Sequence, residues 1–382
     1  MTTSNNNNNT DISTSNNNDN TGISTFNNIN TSIKNEKDNT INSNTDLPTN
    51  NNTVNPINNI SFLGEDDFLS TMNSANKSWR DNNVVNATFT TSDNIKLNYY
   101  KAVNKDAKAV VVIVHGYCEF WGKYHEYVWY LWQAGYTVYF LEQRGHGYSE
   151  GKLQEHDVVY IDKFDTYVND LQEFIQNVVK QDGENLPLLL LAHSMGGAVA
   201  SLYLERRPET FKAALLSSPM IMMNTGKMTS FKLKLVKLYM ILLHKQKSLC
   251  PGQHHFNPVS NFANSSTLSE VRFNYLFNKR VEDIHYQTAG ASLGWVMAAV
   301  DVTQQILKDA DKIKIPIVLM QAGKDTLVKP EGFDAFMQKV PQARKFVYED
   351  SKHEIFNASE DIRKKYFRDV IEQLDSFIKA GW

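Results

Sequence analysis

Residues 109–114 read AVVVIV, six apolar positions in a row, all but Ala109 β-branched. A run of that kind without polar alternation belongs to a strand buried on both faces, which happens where helices cover both sides of a parallel sheet. One such strand commits the chain to more. TVYFLE (137–142), LLLLA (188–192), AALLSS (213–218), IPIVLMQAG (315–323) and KFVYED (345–350) supply the companion strands. Helical segments stand between them. KYHEYVWYLWQAGY (123–136) stops at Gly135, and Phe164, Tyr167, Val168, Leu171, Phe174, Ile175, Val178 and Val179 share one helical face. A helix runs to Arg206, and an amphipathic one closes the chain at 359–380. Strands alternating with helices predict an α/β fold: a doubly wound, mostly parallel sheet. Ahead of it, Val85, Ala87 and Phe89 face Ile95, Leu97 and Tyr99 across the turn Ser92-Asp93-Asn94, an antiparallel hairpin.

The alternation fails in two places. Residues 1–60 contain 22 asparagines among serines and threonines, so the segment buries too little apolar surface to offset its ordering entropy. It is expected to be a disordered tail, with the folded domain at 61–382. Between about 219 and 313 no buried strand is evident, only helix-like stretches. An insertion there sits over the C-terminal edge of the sheet, where open α/β sheets bind ligands, and is expected to be a helical cap. Its segment 231–247 carries Lys232, Lys234, Lys237, Lys245 and Lys247 among leucines and aromatics. A lid helix with solvated lysines fits it better than a helix in transient contact with a membrane surface, because the polar face is narrow.

Composition excludes several classes. The net charge of −3 over 382 residues, with no stripe of Lys and Arg, gives no footing for nucleic acid. Cys118 and Cys250 make no disulfide framework and no zinc spacing, and no metal or other cofactor is expected. No run of about 18 apolar residues is present, and the first residues lack a basic and apolar leader. Cytoplasmic residence, peripheral to membranes at most, is the expectation; oligomeric state is not legible.

Chemistry concentrates at LLLLAHSMGGAVA (188–200), a strand that ends at Ser194 with a helix starting at once. This is the layout of a nucleophile elbow, whose usual form G-x-S-x-G here has Ala192 in place of the first glycine. Alanine adds one methyl and is tolerated where φ stays negative. Three other positions have matching contexts. HGY (115–117) follows the AVVVIV strand, so the backbone N–H groups of Tyr117 and Met195 are candidate oxyanion donors. Asp325 lies just past one strand, and His353 in the loop after the next. Serine, acid, histidine is the α/β-hydrolase order. His193 and His115 are expected to pack or to fix loops, Arg144 and His146 to hold the RGHG loop (144–147), and Cys118 to act as a small hydrophobe. Asp311 and Asp350 are competing candidates for the acid, and the strand-end context favours Asp325.

HGYCEFWGKYHEY (115–127), EQRGHGYSEG (142–151), DKFDTYVNDL (162–171), AHSMGG (192–197), IPIVLMQAGKDTLV (315–328) and DSKHEIF (350–356) together resemble one branch of the serine aminopeptidase-like α/β-hydrolases. It is the branch that holds monoglyceride lipases and bacterial lysophospholipases, and AGASLGW (289–295) is similar to the latter. The resemblance implies a cofactor-free serine hydrolase of single-chain lipid esters, most of all a lysophospholipase. Its nucleophile falls on Ser194, its acid on Asp325, its base on His353 and its oxyanion donors on Tyr117 and Met195. A monoacylglycerol lipase or another ester hydrolase is the alternative. An intact serine, acid and histidine argue against a silent binding protein. The sequence departs at Glu142, where the family usually has Asp, and at Tyr117, bulkier than the common choice and expected to narrow the acyl pocket.

Overall fold

In the computed structural model, residues 60–181, 186–226 and 228–379 are described; the tail expected over 1–60 lies outside them but for Ile60. Two short helices, α1 (Phe68–Asn73) and α2 (Ala75–Asn83), precede the hairpin of β1 (Val84–Thr90) and β2 (Lys96–Ala102). β3 (Ala109–Val114), α3 (His125–Gln133) and β4 (Tyr136–Leu141) follow, then the two-residue β5 (Val158–Val159) and α4 (Phe164–Phe174). Next come β6 (Leu188–His193), α5 (Met195–Arg206) and β7 (Ala213–Ser217). The expected cap region holds α6 (Ser230–Leu242), α7 (Glu270–Glu282), β8 (Gly290–Ala291) and α8 (Leu293–Asp309). The chain closes with β9 (Ile317–Ala322), α9 (Pro330–Lys339), β10 (Arg344–Tyr348) and α10 (Glu360–Lys379).

The eight-stranded sheet has the order β1-β2-β4-β3-β6-β7-β9-β10. β1 pairs with β2 and β2 with β4 antiparallel; all other pairs are parallel. This is the expected α/β fold. Along β3, Val110, Val112 and Val114 enter one core, and Ala109, Val111 and Ile113 the other. Both faces are therefore dry, and each valine or isoleucine so buried contributes about 1.5–3 kcal/mol. The first core is closed by α4, α5, α8 and α9, the second by α3, α10 and Ile60–Trp79. Strand order reverses between β3 and β6, so the loops after these two strands open onto a topological switch point, where ligands bind.

Several elements differ from expectation in detail. α4 continues as a wider π turn at Ile175–Val179, which keeps Ile175, Val178 and Val179 on the buried face. α6 ends at Leu242 rather than 247, because His244 adopts φ 51° and the Lys245 N–H caps the Met240 carbonyl at 2.9 Å. The region 219–313 is not free of strand: β8 pairs with β5 in parallel. α8, within that region, puts Trp295, Ala298, Ala299, Val302 and Ile306 into the main core.

Candidate active site

The nucleophile candidate sits where β6 turns into α5. Ser194 has φ 52° and ψ −118°, a conformation rare outside glycine and held here by its surroundings. Its N–H donates to Ser217 O at 3.0 Å, and its carbonyl accepts from Gly197 at 2.8 Å and Met220 at 2.9 Å. Strand and helix leave no room for a side chain at Gly196 or Gly197. A Cβ on Gly196 would collide with the carbonyl oxygens of Val114 and His115, and one on Gly197 with Pro219. Ala192 lies inside β6 between Val114 and Leu216 and is not among the residues with positive φ, so its methyl is accommodated.

Ser194, His353 and Asp325 converge. His353 Nε2 lies 2.8 Å from Ser194 Oγ, and Nδ1 lies 2.6 Å from Asp325 Oδ2. With Nδ1 carrying the proton for the carboxylate, Nε2 is left to accept from the hydroxyl. Burial works to raise the Asp325 carboxyl. The His353 imidazole and the N–H groups of Leu327 (2.8 Å) and Val328 (3.2 Å) outweigh it and hold the group below the usual carboxylate range. Asp350 instead meets Lys324 at 2.7 Å, well exposed, and Asp311 is exposed too.

Tyr117 lies just past β3, and Met195 opens α5, where its N–H has no intrahelical acceptor. The Tyr117 ring packs on Trp295 of α8 (4.4 Å between centroids), and its hydroxyl donates to Ala289 O at 3.2 Å. Cys118 takes φ 57° in the same loop, and burial pushes its thiol to about 12, which keeps it from reacting as a thiolate. His115 fixes this loop to the next: Nδ1–H donates to Gly116 O at 2.7 Å, while Nε2 accepts from Gln143 N–H at 2.9 Å. Burial lowers its pKa to about 4, so it is neutral. Arg144 forks onto Asp93 and Asp170, and His146 Nδ1 meets Arg144 O at 3.2 Å. Glu142, fully buried, accepts N–H groups from Trp121 and Tyr148; burial still pushes it to about 7.

One feature had no sequence signal. Lys123 is buried between Glu119 (2.7 Å) and Glu354 (2.8 Å), and Glu119 also meets His193 Nδ1 at 3.0 Å. Burial alone would raise both carboxyls; Lys123, with His193 on Glu119, holds Glu119 well below its ordinary value and Glu354 at about 2. Glu119 further accepts the Gly116 N–H at 2.5 Å, so this cluster joins the loop of Tyr117 to the loop of His353. A cavity of about 770 Å³, lined by His353, Cys118, Phe120, Leu276, Phe277 and Arg280 among others, opens beside it. That volume suits a small-molecule ligand.

Residues 105–360 match the family described as serine aminopeptidase, S33. The chain belongs to that family. Among S33-like relatives, lysophospholipase L2 of Escherichia coli is 27% identical over 79% of this chain and 90% of its own length. Human monoglyceride lipase is 26% identical over 69% of this chain and 81% of its own. A carboxyl esterase structure from Bacillus coagulans covers 78% of the chain and 99% of its own at TM-score 0.62 and 18% identity, a likeness of fold. The S33 protein is thus an enzyme of the α/β-hydrolase fold, and its relatives' names support a carboxylic ester hydrolase.

Proposed function

We propose that this protein hydrolyses the acyl ester of a single-chain lipid, a lysophospholipid first, by a covalent serine mechanism. The observation that carries the reading is the continuous hydrogen-bonded line from Asp325 through His353 to Ser194. Ser194 Oγ attacks the ester carbonyl as His353 Nε2 takes its proton, and Asp325 steadies the imidazolium. The N–H groups of Tyr117 and Met195 hold the oxyanion, each donor lowering the barrier by about 3–4 kcal/mol. The C–O bond to the alcohol breaks, and His353 returns the proton to the leaving oxygen. Water, deprotonated by the same imidazole, then splits the acyl-enzyme and frees the fatty acid and Ser194. The segment from Pro219 to Ser292 acts as the cap under which the acyl chain threads. The protein works in the cytoplasm, meeting membranes at most peripherally.

Monoacylglycerol hydrolysis is the second reading, supported by the likeness to human monoglyceride lipase. Fatty-acid release from lysophosphatidylcholine and from a monoacylglycerol of equal chain length separates them. The proposal expects both to be cleaved and the phospholipid to have the higher kcat/KM. Preference for the monoacylglycerol overturns the head-group assignment, and release from neither overturns the whole reading.

A further inference from the structure

We infer that Arg280 is the phosphate-reading residue of the substrate cavity, which rests on the lipid-ester reading above. Arg280 projects from α7 into the cavity shared with His353. Its Nε donates to Tyr286 O at 3.1 Å and its Nη2 to Thr288 O at 2.6 Å. Among the described residues no carboxylate lies within ion-pair reach of it, and no acceptor is found for Nη1. The two fully buried guanidiniums are treated differently: Arg272 meets Glu65 and Glu126, and Arg363 meets Glu65. The other neighbours of Arg280 are the Phe256 ring, 4.8 Å from the guanidinium carbon, and the more distant Glu354 carboxylate, which is already paired with Lys123. A guanidinium taken out of water without a carboxylate in contact is unfavourable until an anion arrives.

The place of that charge is specific. Arg280 and Cys118 line the same cavity, so Arg280 stands beside the loop that carries Tyr117. Lys352, next to His353 and lining the same cavity, likewise donates only to a carbonyl, Ser265 O at 3.0 Å. A lysophospholipid puts its phosphate a few bonds from the scissile ester, whereas a monoacylglycerol has only hydroxyls there. The planar guanidinium, anchored along one edge by the two carbonyls, offers its remaining donors to phosphate oxygens. A clasp for the 284–288 turn would use the carbonyl contacts alone and needs no place on the cavity wall.

Two measurements test this on the full chain. The first is the ratio of kcat/KM for lysophosphatidylcholine to that for monoacylglycerol, in wild type, Arg280→Lys and Arg280→Met. The ratio is expected to fall at least about tenfold in Arg280→Met and less in Arg280→Lys; an unchanged ratio overturns the assignment. The second is calorimetric binding of glycerophosphocholine and of glycerol to the wild type, which needs neither turnover nor a folded variant. Binding of the phosphodiester at least about tenfold tighter than glycerol is expected, and equal binding overturns it. If no ester is cleaved yet the phosphodiester binds selectively to the wild type and not to a folded Arg280→Met, the hydrolytic reading fails while Arg280 keeps its role.

Discussion

At the scale of residues, the elbow is decided by crowding. Ser194 is legible in sequence because a leucine run, a serine and two glycines stand together, and Gly196 shows why: the carbonyl oxygens of Val114, which ends β3, and of His115 just after it occupy the space a Cβ needs. Gly196→Ala should destabilise the protein by about 1–3 kcal/mol in urea unfolding, with reduced turnover. Ala192→Gly, at a strand position with ordinary φ, should lose only about 0.5–1 kcal/mol through chain entropy and gain no rate. A rise in kcat on Ala192→Gly would mean the missing first glycine matters to the elbow after all. Asp325 and His353 were readable for a similar reason, each standing just past a segment that reads as a strand. The cluster of Glu119, Lys123, His193 and Glu354 was not, because only Glu119 and Lys123 share a connection and His193 and Glu354 come from a strand end and a loop far along the chain.

At the scale of elements, that cluster ties the loop after β3 to the loop after β10. Lys123→Met removes the shared cation and leaves two buried carboxylates, which should cost about 3–5 kcal/mol of stability. Its acid response follows. The Glu354 carboxyl, held near 2 against an ordinary 4.5, contributes stability that is present above about pH 4.5 and is lost as pH falls toward 2. Wild type should therefore lose stability steeply across that window in urea titrations, and Lys123→Met should lose less. Parallel slopes would contradict the pairing. α1 and α2 escaped the sequence reading because they are short and bury only Phe68, Met72, Asn76 and Trp79. The segment of α8 was read only as part of the cap, and its packing of Trp295 to Ile306 on the main core is a tertiary choice that no local pattern gives away.

At the scale of the whole molecule, the topology was legible because each buried strand is an unbroken apolar run and each covering helix has one apolar face. What periodicity cannot say is which faces stay open. α6 exposes Phe231 at 69% and Leu242 at 66%, with Leu235, Leu238 and Tyr239 about half exposed, beside lysines of which Lys237 meets Asp301 at 2.5 Å. Among the described residues no helix is long and apolar enough to cross a membrane. Flotation with anionic vesicles tests the exposed face of α6: a plain lid, which the sequence favours, leaves wild type and Phe231→Ser with Leu242→Ser equally unrecovered, and recovery of the wild type that the double variant loses would make α6 a lipid contact. The central claim is that Ser194 Oγ is an activated nucleophile, and intact-mass measurement after treatment with a fluorophosphonate tests it most directly. The account predicts one adduct, mapped to Ser194, on the wild type and none on Ser194→Ala. A folded wild type that stays unmodified, or a Ser194→Ala protein that labels equally, would contradict it.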